Sequence, residues 1–297
     1  MGDLWRALPF RVGVITDEVS QSLACAIEFC REFGLTALEL RSVDGVSPFD
    51  WSEEQVRDMK RLCDDAGMEV VAISAPLFKC DIDDDEAVAG HIASFERLCG
   101  YAKLLGTRII RGFDFWACGA SLEARAEKYR PIIEICQRYD VICAVEYDPS
   151  VHSPTPQAVA ELVNFVNHPR ICALYDPGNG IFSDKTRAPY PEGYEALKDC
   201  LCHIHLKDAI ANDTPKGAEA VCIGEGQVDY VGLFRRLISE GYDGCVMLET
   251  HYRKNVELTE DQLQRPGGYD FSDGAYDASH ESMEALMCML DKIRKEG

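Results

Sequence analysis

Positive charge is scarce in this chain of 297 residues: 30 Lys and Arg stand against 51 Asp and Glu, a formal net charge of −21. A nucleic-acid partner is excluded on that ground, because phosphates must be neutralised by basic side chains. A small phosphorylated substrate held by local cations or a metal stays open. No run of eighteen apolar residues exists, so no membrane-spanning helix is expected. The fourteen cysteines include no CxxC pair and sit singly in apolar positions. That pattern predicts reduced, buried thiols rather than a disulfide scaffold. The stretch MGDLWRALPF is too short and too charged for a secretory signal, and a cytoplasmic setting is expected. The acidic run CDIDDDE (80–86) lacks the glycine and twelfth-position glutamate of an EF-hand. It is read as a solvated loop charging a helix N-terminus.

What is present is alternation. Apolar segments at 12–16, 36–41, 68–74, 107–113, 141–148, 171–179, 201–208 and 244–251 read as eight strands. Between them lie segments of helical spacing, among them 53–66, 86–105, 121–138, 157–167, 229–240 and 280–293, with a weaker one near 192–200. Ser52 begins a capping box, and Gly34, Gly67, Gly106 and Gly241 stop helices. Eight such repeats predict a (β/α)8 TIM barrel as one domain over 1–297. A doubly wound sheet would favour a glycine-rich turn after the first strand, and TDEVSQS there has no glycine. Residues 209–227 read as a loop carrying a GEG turn. The long polar stretch at about 252–279, after the eighth strand, is expected to cover the mouth of the barrel.

Catalytic groups of such barrels gather at the C-terminal strand ends. The last four strands each close on an acid or an imidazole: Glu146, Asp176, His205 and Glu249. Three carboxylates and one imidazole make an oxygen-rich set suited to one divalent ion, Mn²⁺, Mg²⁺ or Co²⁺ first and Zn²⁺ next. Within LCHIHLKD, period-two spacing sends His203, His205 and Lys207 to one face. Lys207 then points into the mouth as a cation for a substrate oxygen or as a catalytic acid. His203, one layer deeper, is read as a supporting partner. Asn179, Arg111, Arg41, Trp116 and His251 complete the candidate substrate contacts, with Phe78 and Phe113 as further wall residues.

The segments ELR (39–41), VEYD (145–148), YDPGN (175–179), HIHLKD (203–208), GEGQVD (224–229) and LETH (248–251) resemble those of the xylose-isomerase-like TIM-barrel superfamily. The resemblance covers almost the whole chain. It implies that Glu146, Asp176, His205 and Glu249 bind one divalent metal. It further implies that Glu146 and Glu249 remove and return a substrate proton through an enediolate. The implied activity is an isomerase or epimerase of a sugar, sugar phosphate or small hydroxy-carbonyl compound. Relatives also include dehydratases of inosose or dehydroshikimate type, which share the first step and then expel a hydroxyl. A non-catalytic sugar-binding barrel is the third reading. The chain lacks the extra histidines of the three-metal DNA-repair endonuclease. It also holds Asn179 where ketose 3-epimerases of free sugars carry histidine. The implied partner is a small sugar-like substrate, with a homo-oligomer expected.

Overall fold

The computed structural model describes residues 2–183, 189–214 and 217–296. Ten strands occur among them: β1 Arg11–Ile15, β2 Ala37–Leu40, β3 Glu69–Leu77, β4 Ile109–Gly112, β5 Ile142–Glu146, β6 Ile171–Tyr175, β7 Leu201–Leu206, β8 Asp208–Ala211, β9 Ala218–Val221 and β10 Cys245–Leu248. Eight of them close in the order β1-β10-β7-β6-β5-β4-β3-β2. Every pair in the ring is parallel. The eight strands expected from apolar alternation are the eight of the barrel, inside a ring of helices.

Period two divides each strand between two environments. Val14, Leu38, Val70, Ile110, Val145, Tyr175, Ile204 and Val246 join the large core under the helices. A separate small cluster of Ile15, Ala37, Val71, Cys245 and Met247 lies on the opposite face. Above that apolar floor the same alternation brings polar groups inward, first Glu39 and His203, then His205 and Glu249.

Three departures from the sequence reading have local causes. The helix expected over 121–138 is two, Leu122–Lys128 and Arg130–Tyr139, with Pro131 in the first turn of the second. Proline fits a first turn because it has no N–H to leave unpaired, but not a helix interior. Strand β3 runs past Pro76 to Leu77, with its register against β4 shifting between Ser74 and Leu77, so the proline sits in a bulge. Residues 209–227 are not all loop: β8 and β9 pair as an antiparallel hairpin. The GEG turn beyond them wraps the Asp208 carboxylate, which accepts the amides of Gly224 at 2.9 Å, Gly226 at 3.0 Å and Val228 at 3.2 Å. A Cβ at Gly226 would fall 2.0 Å from Asp208 Oδ1, so only glycine fits.

The stretch after β10 carries a short helix, Glu260–Gln264, and a single turn, Asp270–Ser272, before the last helix begins at Ala275. No described helix is long and apolar enough to cross a membrane.

Candidate metal and active site

The C-terminal ends of β5, β6, β7 and β10 bring Glu146, Asp176, His205 and Glu249 together. One potential ligand atom from each lies within 4.8 Å of all the others, and all four residues are buried. His205 is the hinge of the cluster. Its Nδ1 faces Glu249 Oε2 at 2.9 Å and Glu146 Oε1 at 3.5 Å, and its Nε2 faces Glu39 at 3.1 Å. One imidazole nitrogen is therefore directed at the carboxylates and the other is held from behind, the arrangement that fixes a metal-binding tautomer.

Glu39 belongs to the same buried network, through partners that its own segment of sequence does not reveal. It accepts from Ser74 Oγ, faces His203 Nε2 at 2.7 Å and supports His205. Period two on β2 and on β7 signalled both inward faces. Only barrel closure showed that Glu39 and the two histidines meet.

The charges compensate one another. Burial alone would raise the Glu249 pKa, but Lys207 and His205 outweigh it and hold the carboxyl well below its usual range. Glu39 is likewise lowered, by His205 and His203 against burial. Burial and the neighbouring Glu249 oppose ionisation of Glu146, while Arg111 and His205 win and lower its pKa. Asp176 goes the other way, pushed up to about 6 by burial and by Glu249 and Glu146 despite Lys207. His205 is raised well above an ordinary imidazole, since Glu39, Glu249 and Glu146 overcome its burial.

Lys207 Nζ sits among the same oxygens, 2.8 Å from Asp176 Oδ2, 3.3 Å from Glu249 Oε2 and 3.1 Å from Asn179 Oδ1. Asn179 also donates to Glu146 Oε1 at 3.1 Å and to the Tyr147 carbonyl at 2.9 Å, which ties Glu146 to Lys207. The Asp176 Oδ1 accepts the amides of Gly178 and Asn179. The donor set fits a hard divalent cation. Three carboxylates crowded out of water need positive charge, and here a lysine and an imidazolium supply it.

A cavity of about 250 Å³ opens beside the cluster, lined by Glu146, Glu249, Lys207, Asn179, Arg111 and His251 among others. Arg111 Nη1 lies 3.2 Å from Glu146 Oε2. His251, at a left-handed φ of 47°, places Nε2 3.2 Å from Glu18 Oε1 and 3.4 Å from Glu249 Oε1. A histidine at positive φ is strained backbone, which accumulates at functional sites.

Four other candidates lie outside this cavity, among them Phe78, which is fully buried and stacks on Phe115 at 4.2 Å rather than forming the wall. Arg41 is fully engaged by Asp17 at 2.8 Å, Glu18 at 2.6 Å and Glu249, so it orients the last glutamate. His203 is buried beneath His205 on Glu39. Trp116 lines a neighbouring groove of about 780 Å³, which Arg41 also borders.

The chain matches the family model described as xylose isomerase-like TIM barrel over residues 27–271. It belongs to that family. An uncharacterised protein of Methanocaldococcus jannaschii is 25% identical over 128 residues, 42% of this chain and 41% of that relative, so the match spans less than half of that protein. Among solved structures, the probable 3-DHS dehydratase AsbF of petrobactin synthesis from Bacillus anthracis is 19% identical. It covers 93% of this chain and 98% of its own, with a TM-score of 0.68. The IOLI protein with a bound zinc atom is 18% identical, covers 96% and 99%, and has a TM-score of 0.70. At these identities the structures speak for the fold.

Proposed function

We propose that this protein is a divalent-metal-dependent enzyme that isomerises or epimerises a sugar, sugar phosphate or small hydroxy-carbonyl compound. The observation that carries the reading is the pair Glu146 and Glu249. They belong to one buried carboxylate–imidazole cluster and both line the cavity beside it.

Glu146, Asp176, His205 and Glu249 would hold the ion, and the oxygen-rich set favours Mn²⁺, Mg²⁺ or Co²⁺. The zinc in the IOLI structure keeps Zn²⁺ in the series. When bound, such an ion supplies Lewis-acid stabilisation of the charge that develops as a carbonyl compound becomes an enediolate. The chain does the rest. Glu146, kept ionised by Arg111, is the base that takes a proton from carbon. Glu249, a carboxylate at rest, would return a proton to carbon after taking one from solvent in the cavity, while the proton held by Glu146 passes back to solvent. Arg41 and Asn179 hold these two carboxylates in place, and Lys207, released from Asp176 and Glu249 when an ion takes those oxygens, would offer an N–H to a substrate oxygen.

Dehydration is the second reading. His251 favours it, since its ring lies in the cavity wall beside Glu18 and Glu249, where it can give a proton to a departing hydroxyl. The likeness to AsbF points the same way. The fourteen unpaired cysteines support a reducing, cytoplasmic setting.

The test is incubation of metal-reconstituted protein in D₂O with ketoses, ketose phosphates, inososes and hydroxypyruvate, followed by NMR and mass. Isomerisation conserves mass and dehydration loses one water. Retained deuterium exchange at the substrate carbon in both Glu146→Gln and Glu249→Gln would rule out the two-base scheme.

A further inference from the structure

One wall of the cavity carries chemistry that proton transfer at Glu146 and Glu249 does not use. Lys79 and Arg111 both line it, 6% and 4% exposed. Both lie over the ring of Phe113, the Lys79 ammonium 4.3 Å and the Arg111 guanidinium 4.8 Å from its centroid. Two buried cations on one ring repel. Burial chiefly, and Arg111 in part, lower the Lys79 pKa against the pull of Asp148.

Their local partners do not exhaust them. Lys79 Nζ donates to Asp148 Oδ2 at 2.9 Å and to the Gln264 carbonyl, which leaves one of its three N–H groups. Arg111 spends Nη1 on Glu146 and Nε on the Ala75 carbonyl at 3.5 Å. Its Nη2 has no hydrogen-bond partner among the described residues. The acceptor side is saturated instead, since Asp148 Oδ1 already takes the amide and hydroxyl of Ser150. Donors therefore outnumber acceptors at this end of the cavity.

The backbone is arranged to put Lys79 there. Phe78, just before it, takes a left-handed φ of 63°, unfavourable for a bulky aromatic. The Phe78 amide is held by His91 Nδ1 at 2.9 Å. This turn follows the bulge at Pro76 and directs the lysine into the cavity.

We infer that the substrate carries an anionic group, a carboxylate or a phosphate, which is bound between Lys79 and Arg111 while its reacting carbons face Glu146 and Glu249. The inference rests on the enzymatic reading above and names the substrate class for it: an anionic hydroxy-carbonyl compound rather than a neutral free sugar.

Binding to Mg²⁺-loaded protein, measured by calorimetry, tests it with three probes of similar size: neutral dihydroxyacetone, hydroxypyruvate as the carboxylate and dihydroxyacetone phosphate as the phosphate. Two variants accompany the wild type, Lys79→Gln and the double variant Lys79→Gln with Asp148→Asn. The double variant leaves no unpaired buried carboxylate. A charge-assisted hydrogen bond of about 1.5–3 kcal/mol corresponds to roughly 10–100-fold in affinity. The wild type should therefore prefer one of the anions to dihydroxyacetone by at least about tenfold, and whichever anion it prefers identifies the group. Both variants should lose most of that preference while their affinity for dihydroxyacetone stays unchanged. Equal affinities in the wild type, or a preference that survives in both variants, would overturn the anion site. Anion preference without deuterium exchange on any probe would count against proton transfer alone and leave this site standing.

Discussion

Replacing Lys207 by methionine should tighten metal binding, although it removes a group from the active site. In the structure the Lys207 ammonium occupies oxygens that a divalent ion would need, Asp176 Oδ2 at 2.8 Å and Glu249 Oε2 at 3.3 Å. An incoming cation must displace it, and the two positive charges then repel. Methionine removes both penalties. It also leaves the metal-free carboxylates less compensated, which again favours the ion. The shorter contact is one charge-assisted hydrogen bond, worth about 1.5–3 kcal/mol. The bond to Asn179 survives displacement and is not counted. Mn²⁺ affinity should therefore rise by roughly 10–100-fold, read by competition with a chromophoric chelator. Equal or weaker affinity in Lys207→Met would refute the idea that lysine and metal share these oxygens.

Other consequences follow from the same geometry. Metal binding at pH 7 should release about one proton, because the neighbouring carboxylates keep His205 protonated in the metal-free protein and a ligand imidazole must be neutral. Affinity should then rise with pH across the neutral range, and calorimetry in buffers of different ionisation enthalpy counts the proton. His91 accepts the Phe78 amide and its pKa is lowered to about 4, by burial and by Arg265. Its folded value lies below the unfolded one, so its contribution is intact above about pH 6.5 and is lost as pH falls through 4. An NMR titration midpoint near 6.5 for His91 would contradict this. Gly178→Ala should destabilise by about 1–3 kcal/mol, since a Cβ there would lie 2.5 Å from the Lys207 carbonyl oxygen; a denaturant midpoint equal to wild type would show that the backbone can yield.

Much of the site was legible in the chain because it lies at strand ends. Apolar alternation placed β5, β6, β7 and β10, and the residues that close them are Glu146, Asp176, His205 and Glu249. Contacts made by barrel closure were less visible. Glu39 is 164 residues from His203 along the chain, yet touches it, and nothing in ELR alone names that partner. Lys79 was hidden for another reason: it follows a bulge and a left-handed phenylalanine, where strand periodicity no longer says which way a side chain points. The β8–β9 hairpin escaped because its two strands have four residues each, too few for a pattern. Pro131 was there to be read, but the helical spacing on both sides of it masked the break.

Glu146, Asp176, His205 and Glu249 are proposed to form one metal centre. Anomalous scattering from a crystal soaked in Mn²⁺ and measured at the manganese edge tests it directly. A single strong peak should lie among the three carboxylates and His205 Nδ1, with His205 Nε2 still on Glu39 and Lys207 withdrawn. A peak centred elsewhere, or none at saturating Mn²⁺, would contradict it.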